Sequence, residues 1–201
     1  MYVDRMDFSA GLAGTHELRD KLLELGRQRK SAGGFLGQTV LRSYAYPNKL
    51  TALGRWEDVQ SAWNFGDGGT LTSLFGDAAF DLMRFEGYDT PIEVGEISNA
   101  TFEQFADWTL STIGKAQAFE ESRHELFALQ KAHNPGFVAA RLYRSAGIPT
   151  KYLMHTIFTD KDAARGGGGA PALREFIAAH PAPNYANVSP AIEAYAVINR
   201  S

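Results

Sequence analysis

The chain contains no cysteine, so it forms no disulfide and offers no thiolate to a metal. It also lacks any run of 18 apolar residues, the minimum for a membrane-spanning helix. No charged-then-apolar pattern opens MYVDRMDFS, so no secretory signal is expected and a cytoplasmic protein is the default. Charge of one sign is scarce. Twenty Lys and Arg face 23 Asp and Glu, for a net charge of −3, and no basic patch stands out. A nucleic-acid partner is therefore not expected. No pair of histidines stands at metal-ligand spacing, and no serine sits in a hydrolase motif. What remains is an ordinary core-forming composition, 44% hydrophobic over 201 residues, with aromatics at 12%.

The informative feature is a repeat. Gly34 to Trp63 lies over Gly136 to Arg165 without a gap. Gly34/Gly136, Phe35/Phe137, Arg42/Arg144, Ser43/Ser145, Pro47/Pro149, Lys49/Lys151, Asp58/Asp160 and Ala62/Ala164 are identical. Chance supplies roughly 2 matches in such a window at ordinary residue frequencies. The chain is thus two copies of one unit. Residues 1–90 hold the first and 91–201 the second, with no Pro/Ser-rich linker between them.

Each copy reads β-α-β-β-α-β. In the first, strands are expected at Tyr2 to Phe8, Phe35 to Ser43, Leu50 to Trp56 and Leu82 to Tyr88. A helix follows Thr15, with Leu18, Leu22, Leu23 and Leu25 on one stripe. A second begins at Asp58, breaks at Gly66 to Gly69 and resumes at Thr70. In the second copy, Ile92 to Ile97 is read as the first strand. Thr101 with Gln104 then reads as a capping box opening a long helix through Phe102, Phe105, Ala106, Phe119 and Phe127. This places about 11 extra residues before Phe137. Strands at Phe137 to Ser145, Tyr152 to Thr159 and Ala191 to Ile198 follow, with a helix from Pro171 to Ala179. A four-stranded sheet covered by helices on one face must bury the other. The expected fold class is α+β: two tandem ferredoxin-like βαββαβ units forming an intramolecular dimeric-type α/β barrel, as a monomer or homodimer.

GFLGQTVLRS together with RWEDVQSAW resembles the antibiotic biosynthesis monooxygenase superfamily, over essentially the whole chain as two tandem units. The resemblance implies a dimeric-type α/β barrel. Its activities span quinone-forming monooxygenases without cofactor, heme-degrading monooxygenases and small proteins of unassigned role. More locally, Phe176-Ile177-Ala178-Ala179-His180 resembles the Phe-x-Ala-Ala-His that closes the second helix of heme-degrading monooxygenases. That implies His180 as axial iron ligand. The same pattern calls for a Trp where Ala170 stands and an Asn near Ser98 or Asn99; the first copy has no corresponding His.

Several residues carry two readings each. His180 is an iron ligand, or a helix-end residue before Pro181 answering the last carbonyls. His155 lies mid-strand between Leu153 and Ile157; it is a general base in a cavity, or a satisfied core histidine. Arg42 and Arg144 anchor a heme propionate or acidic substrate, or close strand-end ion pairs. Trp56 and Phe158 share one repeated position and are pocket walls for a planar ligand, or core. Tyr143 is a further pocket residue, with weaker cases for Tyr152, Trp63 and Trp108. His16, His124 and His133 are surface or capping residues. The glycine loops at Gly66 and Gly166 hold an anion on their backbone N–H groups, or are mobile loops over the barrel mouth that gate a ligand. The functional expectation is a monooxygenase-type enzyme acting on a hydrophobic or aromatic small molecule, with heme on His180 or without cofactor. The alternatives are a non-catalytic heme- or metabolite-binding barrel and a structural protein whose cavity its own aromatics fill.

Overall fold

A computed structural model describes residues 1–66, 69–76, 80–97, 100–166 and 169–201. Ser98, Asn99 and parts of both glycine loops, 67–68 and 167–168, lie outside the described residues. The order of elements is β1 (Tyr2–Ala10), α1 (Thr15–Arg29), β2 (Phe35–Ser43), β3 (Lys49–Trp56), α2 (Val59–Gly66), α3 (Thr70–Phe75) and β4 (Phe80–Val94). The pattern repeats as β5 (Phe102–Thr109), α4 (Ala116–His133), β6 (Phe137–Ser145), β7 (Lys151–Phe158), α5 (Lys161–Gly166), α6 (Pro171–Ala179) and β8 (Ala191–Arg200). The strands hydrogen-bond in the closed order β1-β3-β2-β8-β5-β7-β6-β4, an eight-stranded α+β barrel of two βαββαβ units. Contacts divide the chain into Met1–Asp89 with Tyr195–Ser201, and Thr90–Ala194.

In the N-terminal unit β1 pairs antiparallel with β3, Tyr2 opposite Trp56 and Asp4 opposite Gly54. One sheet face meets α1: Met6, Phe8, Val40, Leu50 and Ala52 pack on Leu18, Leu22 and Leu25. Residues of the opposite parity, Val3, Arg5, Asp7, Leu41, Thr51 and Leu53, are buried too. That double burial explains why apolar and polar residues fail to alternate cleanly along β1. The C-terminal unit repeats the register, Phe102 opposite Phe158 and Gln104 opposite Thr156. Its helix-side core is Trp108, Phe119, Phe127, Leu142, Tyr152 and Tyr185.

The second copy departs from the sequence reading at its start. Ile92 does not open a new strand; Phe80–Val94 is one continuous strand. Thr101 does not cap a helix. Its hydroxyl donates to Thr159 O at 2.7 Å, and Phe102–Thr109 is a strand. Phe102, Phe105 and Ala106 fit an i, i+3, i+4 stripe, but both faces of this strand are buried, which masks the period of two. The expected insertion therefore does not exist: β5 aligns with β1 and α4 with α1.

Candidate functional site

The site begins with an acid placed where apolar residues are expected. Asp4 shares its side of β1 with Met6 and Phe8, facing α1. On α1 the buried stripe Leu18, Leu22, Leu25 continues one turn further as Arg29. Arg29 Nη2 donates to Asp4 Oδ1 at 2.9 Å and Oδ2 at 3.0 Å, and its Nη1 donates to Gln38 Oε1 at 3.0 Å. The Trp56 indole Nε1 donates to Asp4 Oδ2 at 2.6 Å. The guanidinium stands 5.5 Å from the Trp56 ring and 5.7 Å from Phe65. Gly54 makes the room, because a Cβ there would lie 2.7 Å from Asp4 Oδ2 and overlap Arg29. Burying a charge pair this completely requires that nearly every polar atom be matched. One is not: Arg29 Nε is buried with no hydrogen-bond partner among the described residues.

Arg29 also lines a cleft of about 350 Å³ bordered by β1, β4, α2 and α3. Tyr2, Asp4 and Arg29 form its floor, and Trp63, Phe65, Leu71 and Phe85 its walls. Trp63 and Phe85 are exposed at the rim. Burial, then the charges of Asp4 and Asp89, push the Tyr2 phenol up, against a hydrogen bond from Trp63. Tyr2 thus stays protonated and holds an O–H donor in the cleft. Gly87 is required behind it, since any Cβ there would overlap the Tyr2 hydroxyl. Asp4 Oδ1 accepts one hydrogen bond and keeps a lone pair for another. The cleft therefore sets the Tyr2 donor and the Arg29 cation beside the carboxylates of Asp4 and Glu86, inside an aromatic wall.

The residues singled out by sequence do not converge. Trp56 is fully buried beneath this cleft and edge-on to Phe35 at 5.0 Å. Phe158 repeats that contact with Phe137 at 6.0 Å in the other unit. Tyr143 and His155 lie on the helix-free side of the second sheet. There the Tyr143 hydroxyl is 3.2 Å from His155 Nδ1, His155 Nε2 is 2.8 Å from Glu103 Oε2, and the imidazole stacks on Phe105 at 4.3 Å. All four are buried. Arg144 pairs with Glu120 at 3.6 Å, beside a Tyr152 hydroxyl donating to the same carboxylate. Burial and Glu120 push Tyr152 up to about 12. Arg42 is exposed, near Tyr44 and Pro47.

His180 ends α6, its backbone N–H donating to Phe176 O at 2.9 Å. Its Nδ1 is 2.8 Å from the Tyr185 hydroxyl, and its ring stacks on Phe176 at 4.3 Å. An imidazole oriented this way suits a metal ligand, but the surroundings do not fit heme. Tyr185 and Phe176 flank the ring, and Phe119, Trp108 and Tyr152 fill the layer beneath, with centroids 5.1 to 5.5 Å apart. Neither arginine meant for a propionate reaches it. Among the described residues no cluster of three His, Asp or Glu side chains stands close enough to hold a metal ion. No described helix is long and apolar enough to cross a membrane.

No family model matches the chain, and no curated protein matches its sequence. Solved structures do match. A protein from Fusobacterium nucleatum subsp. nucleatum ATCC 25586 with a provisional monooxygenase assignment superposes with TM-score 0.81 at 11% identity, covering 100% of this chain and 93% of that one. The chain has the fold of that structure. An anthrone oxidase-like protein matches with TM-score 0.70 at 12% identity over 100% and 92% of the two chains. A heme-degrading enzyme from Listeria monocytogenes matches with TM-score 0.54 at 11% identity over 96% and 98%.

Asp4, Arg29 and Tyr2 were missed in the sequence, although two signals were present. One is an acid on the apolar parity of a strand; the other is an arginine on the leucine stripe of a helix. Each is anomalous alone, and together they announce a buried pair.

Proposed function

We propose that the chain is a monooxygenase-type enzyme that oxidises a hydrophobic hydroxy-aromatic compound in the N-terminal cleft, with no cofactor. What supports this is the cleft itself: an aromatic-walled cavity lined by the Arg29 guanidinium and the Tyr2 O–H beside Asp4. A phenolic or enolic substrate oxygen takes hydrogen bonds from Tyr2 and Arg29, which stabilise its anion. The Asp4 Oδ1 lone pair receives the departing proton. The electron-rich substrate carbon then reduces dioxygen. One oxygen atom forms the new carbonyl, and the other leaves as water with the two hydrogens of the oxidised CH₂. The apolar walls exclude bulk water from the anion.

The test is oxygen uptake and quinone absorbance with 1,8-dihydroxyanthrone as probe. Turnover above the spontaneous rate is expected. Tyr2→Phe is expected to reduce it about 100-fold, the scale of losing one oxyanion donor. Quinone formation no faster than in buffer would sink the enzymatic proposal and leave a binding protein. A hemin titration separates the heme alternative: a sharp Soret band lost in His180→Ala would restore it.

A further inference from the structure

Leu71 borders two cavities. One is the cleft above Tyr2, Asp4 and Arg29. The other, about 270 Å³, lies beneath α3 and is lined by Met6, Phe8, Phe75, Phe80 and Leu82, with Thr72 at its edge. Phe8 and Phe75 stack at 4.8 Å along it. The two differ in chemistry. Near Arg29 the floor carries donors and a carboxylate, whereas past Leu71 the described lining side chains are apolar except Thr72. Both belong to the N-terminal unit.

We infer that the ligand is an elongated amphiphile. Its hydroxy-aromatic head sits on Tyr2 and Arg29, and an alkyl or fused-ring tail passes Leu71 into the second chamber. This rests on the cleft being the binding site and adds the length and polarity of what it takes. A compact phenol leaves the second chamber unfilled, and among the described lining side chains only Thr72, at its edge, can answer a polar substituent. Tail carbon buried there gains affinity in proportion to the apolar surface it removes from water. The head must keep its oxygen, because an apolar head would take Tyr2, Asp4 and Arg29 out of water with no partner in return.

The experiment uses 4-alkylphenols with two-, four- and six-carbon chains, and hexylbenzene as the oxygen-free control. Binding to the full chain is read by calorimetry and by tryptophan fluorescence. The expected result is an affinity gain of about three- to fourfold per added methylene, the usual value for burying a CH₂. Hexylbenzene is expected to bind at least tenfold more weakly than 4-hexylphenol. Thr72→Trp, a substitution at an exposed helix position, is expected to flatten the chain-length dependence while 4-ethylphenol binds unchanged. Leu82→Lys, on the exposed side of β4, provides a second obstruction should the first variant misfold. Ethylphenol binding with no gain from longer chains would overturn this inference and leave the cleft proposal standing. A length dependence that survives both variants, or hexylbenzene binding as well as hexylphenol, would overturn it equally. Failure of every phenol to bind would overturn both.

Discussion

The two units share a backbone and differ in where they put polarity. Phe35 on Trp56 and Phe137 on Phe158 are the same edge-on contact at the same repeated positions. Beside them, Asp4 opposite Gly54 in the first unit becomes Gln104 opposite Thr156 in the second. The first unit therefore builds a buried ion pair and leaves a cleft above it. The second packs Phe119, Trp108, Tyr152 and Tyr185 into its helix-side layer. On the other sheet face the exchange runs the opposite way. His155, Glu103 and Tyr143 occupy the places held by Leu53, Val3 and Leu41, while Arg5 and Asp7 of the first unit correspond to Phe105 and Asp107 in the second. Duplication preserves the frame that folds the unit, and each copy spends its few buried polar groups differently.

Gly54→Thr is the sharpest way to break this difference, since it installs the second unit's residue in the first. The new Cβ would collide with both Asp4 and Arg29. Disrupting a buried pair costs about 4 kcal/mol, a large part of a domain's stability. Denaturant unfolding should show that loss, and dihydroxyanthrone oxidation should fall with it. The mirror change, Thr156→Gly, should cost only about 1 kcal/mol, the entropic and packing cost of a strand glycine. Comparable losses at the two sites would end the contrast between the units.

The buried cluster under the first sheet gives a pH-dependent comparison. Burial by itself would raise the Asp7 pKa. Arg5, by charge and by hydrogen bonds at 3.0 Å, together with Lys49 and the Thr51 hydroxyl, outweighs burial and holds it below the ordinary carboxylate range. A depressed folded-state value contributes stability above the unfolded pKa of about 3.9, and this is lost as pH falls through the folded value. Asp7→Asn should therefore cost about 3 kcal/mol at pH 7, the scale of stranding a buried cation. The difference from the wild-type chain should shrink steadily below pH 4. A pH-independent difference would mean that Asp7 acts by shape alone.

How much of this was legible in the sequence follows from the same contrast. The repeat exposed the hairpins because Gly34, Phe35, Pro47 and Lys49 keep their twins, and the fold class followed. The start of the second copy was not legible. β5 is buried on both faces, so Phe102, Phe105 and Ala106 mimicked a helical stripe. The cleft was hidden for a different reason. Asp4 and Arg29 are 25 positions apart and meet only once α1 lies on the sheet. The repeated arginines stand out because both copies keep them, whereas the cleft rests on residues that the copies do not share.

His155→Leu places the first unit's residue in the second. It removes one hydrogen-bond partner from each of Glu103 and Tyr143, at a cost of about 2 kcal/mol for two lost buried hydrogen bonds. If the cleft is the reacting site, oxidation of the anthrone probe should be unchanged once stability is matched. A loss of turnover in a folded variant would return His155 to the role of general base and move the site to the other unit.

The smallest effect is expected at Arg144. Its side chain is 43% exposed and its distance to Glu120 is 3.6 Å, so the pair is screened by solvent. Pairs of this kind contribute about 0.5 kcal/mol. Arg144→Gln should shift the unfolding midpoint by no more than that and leave the hemin titration as it was. Its twin Arg42 is exposed at the same strand end of the first unit. A hemin affinity that fell tenfold in Arg144→Gln, against so small a change in stability, would show the opposite: an arginine kept for an anion and only resting on Glu120.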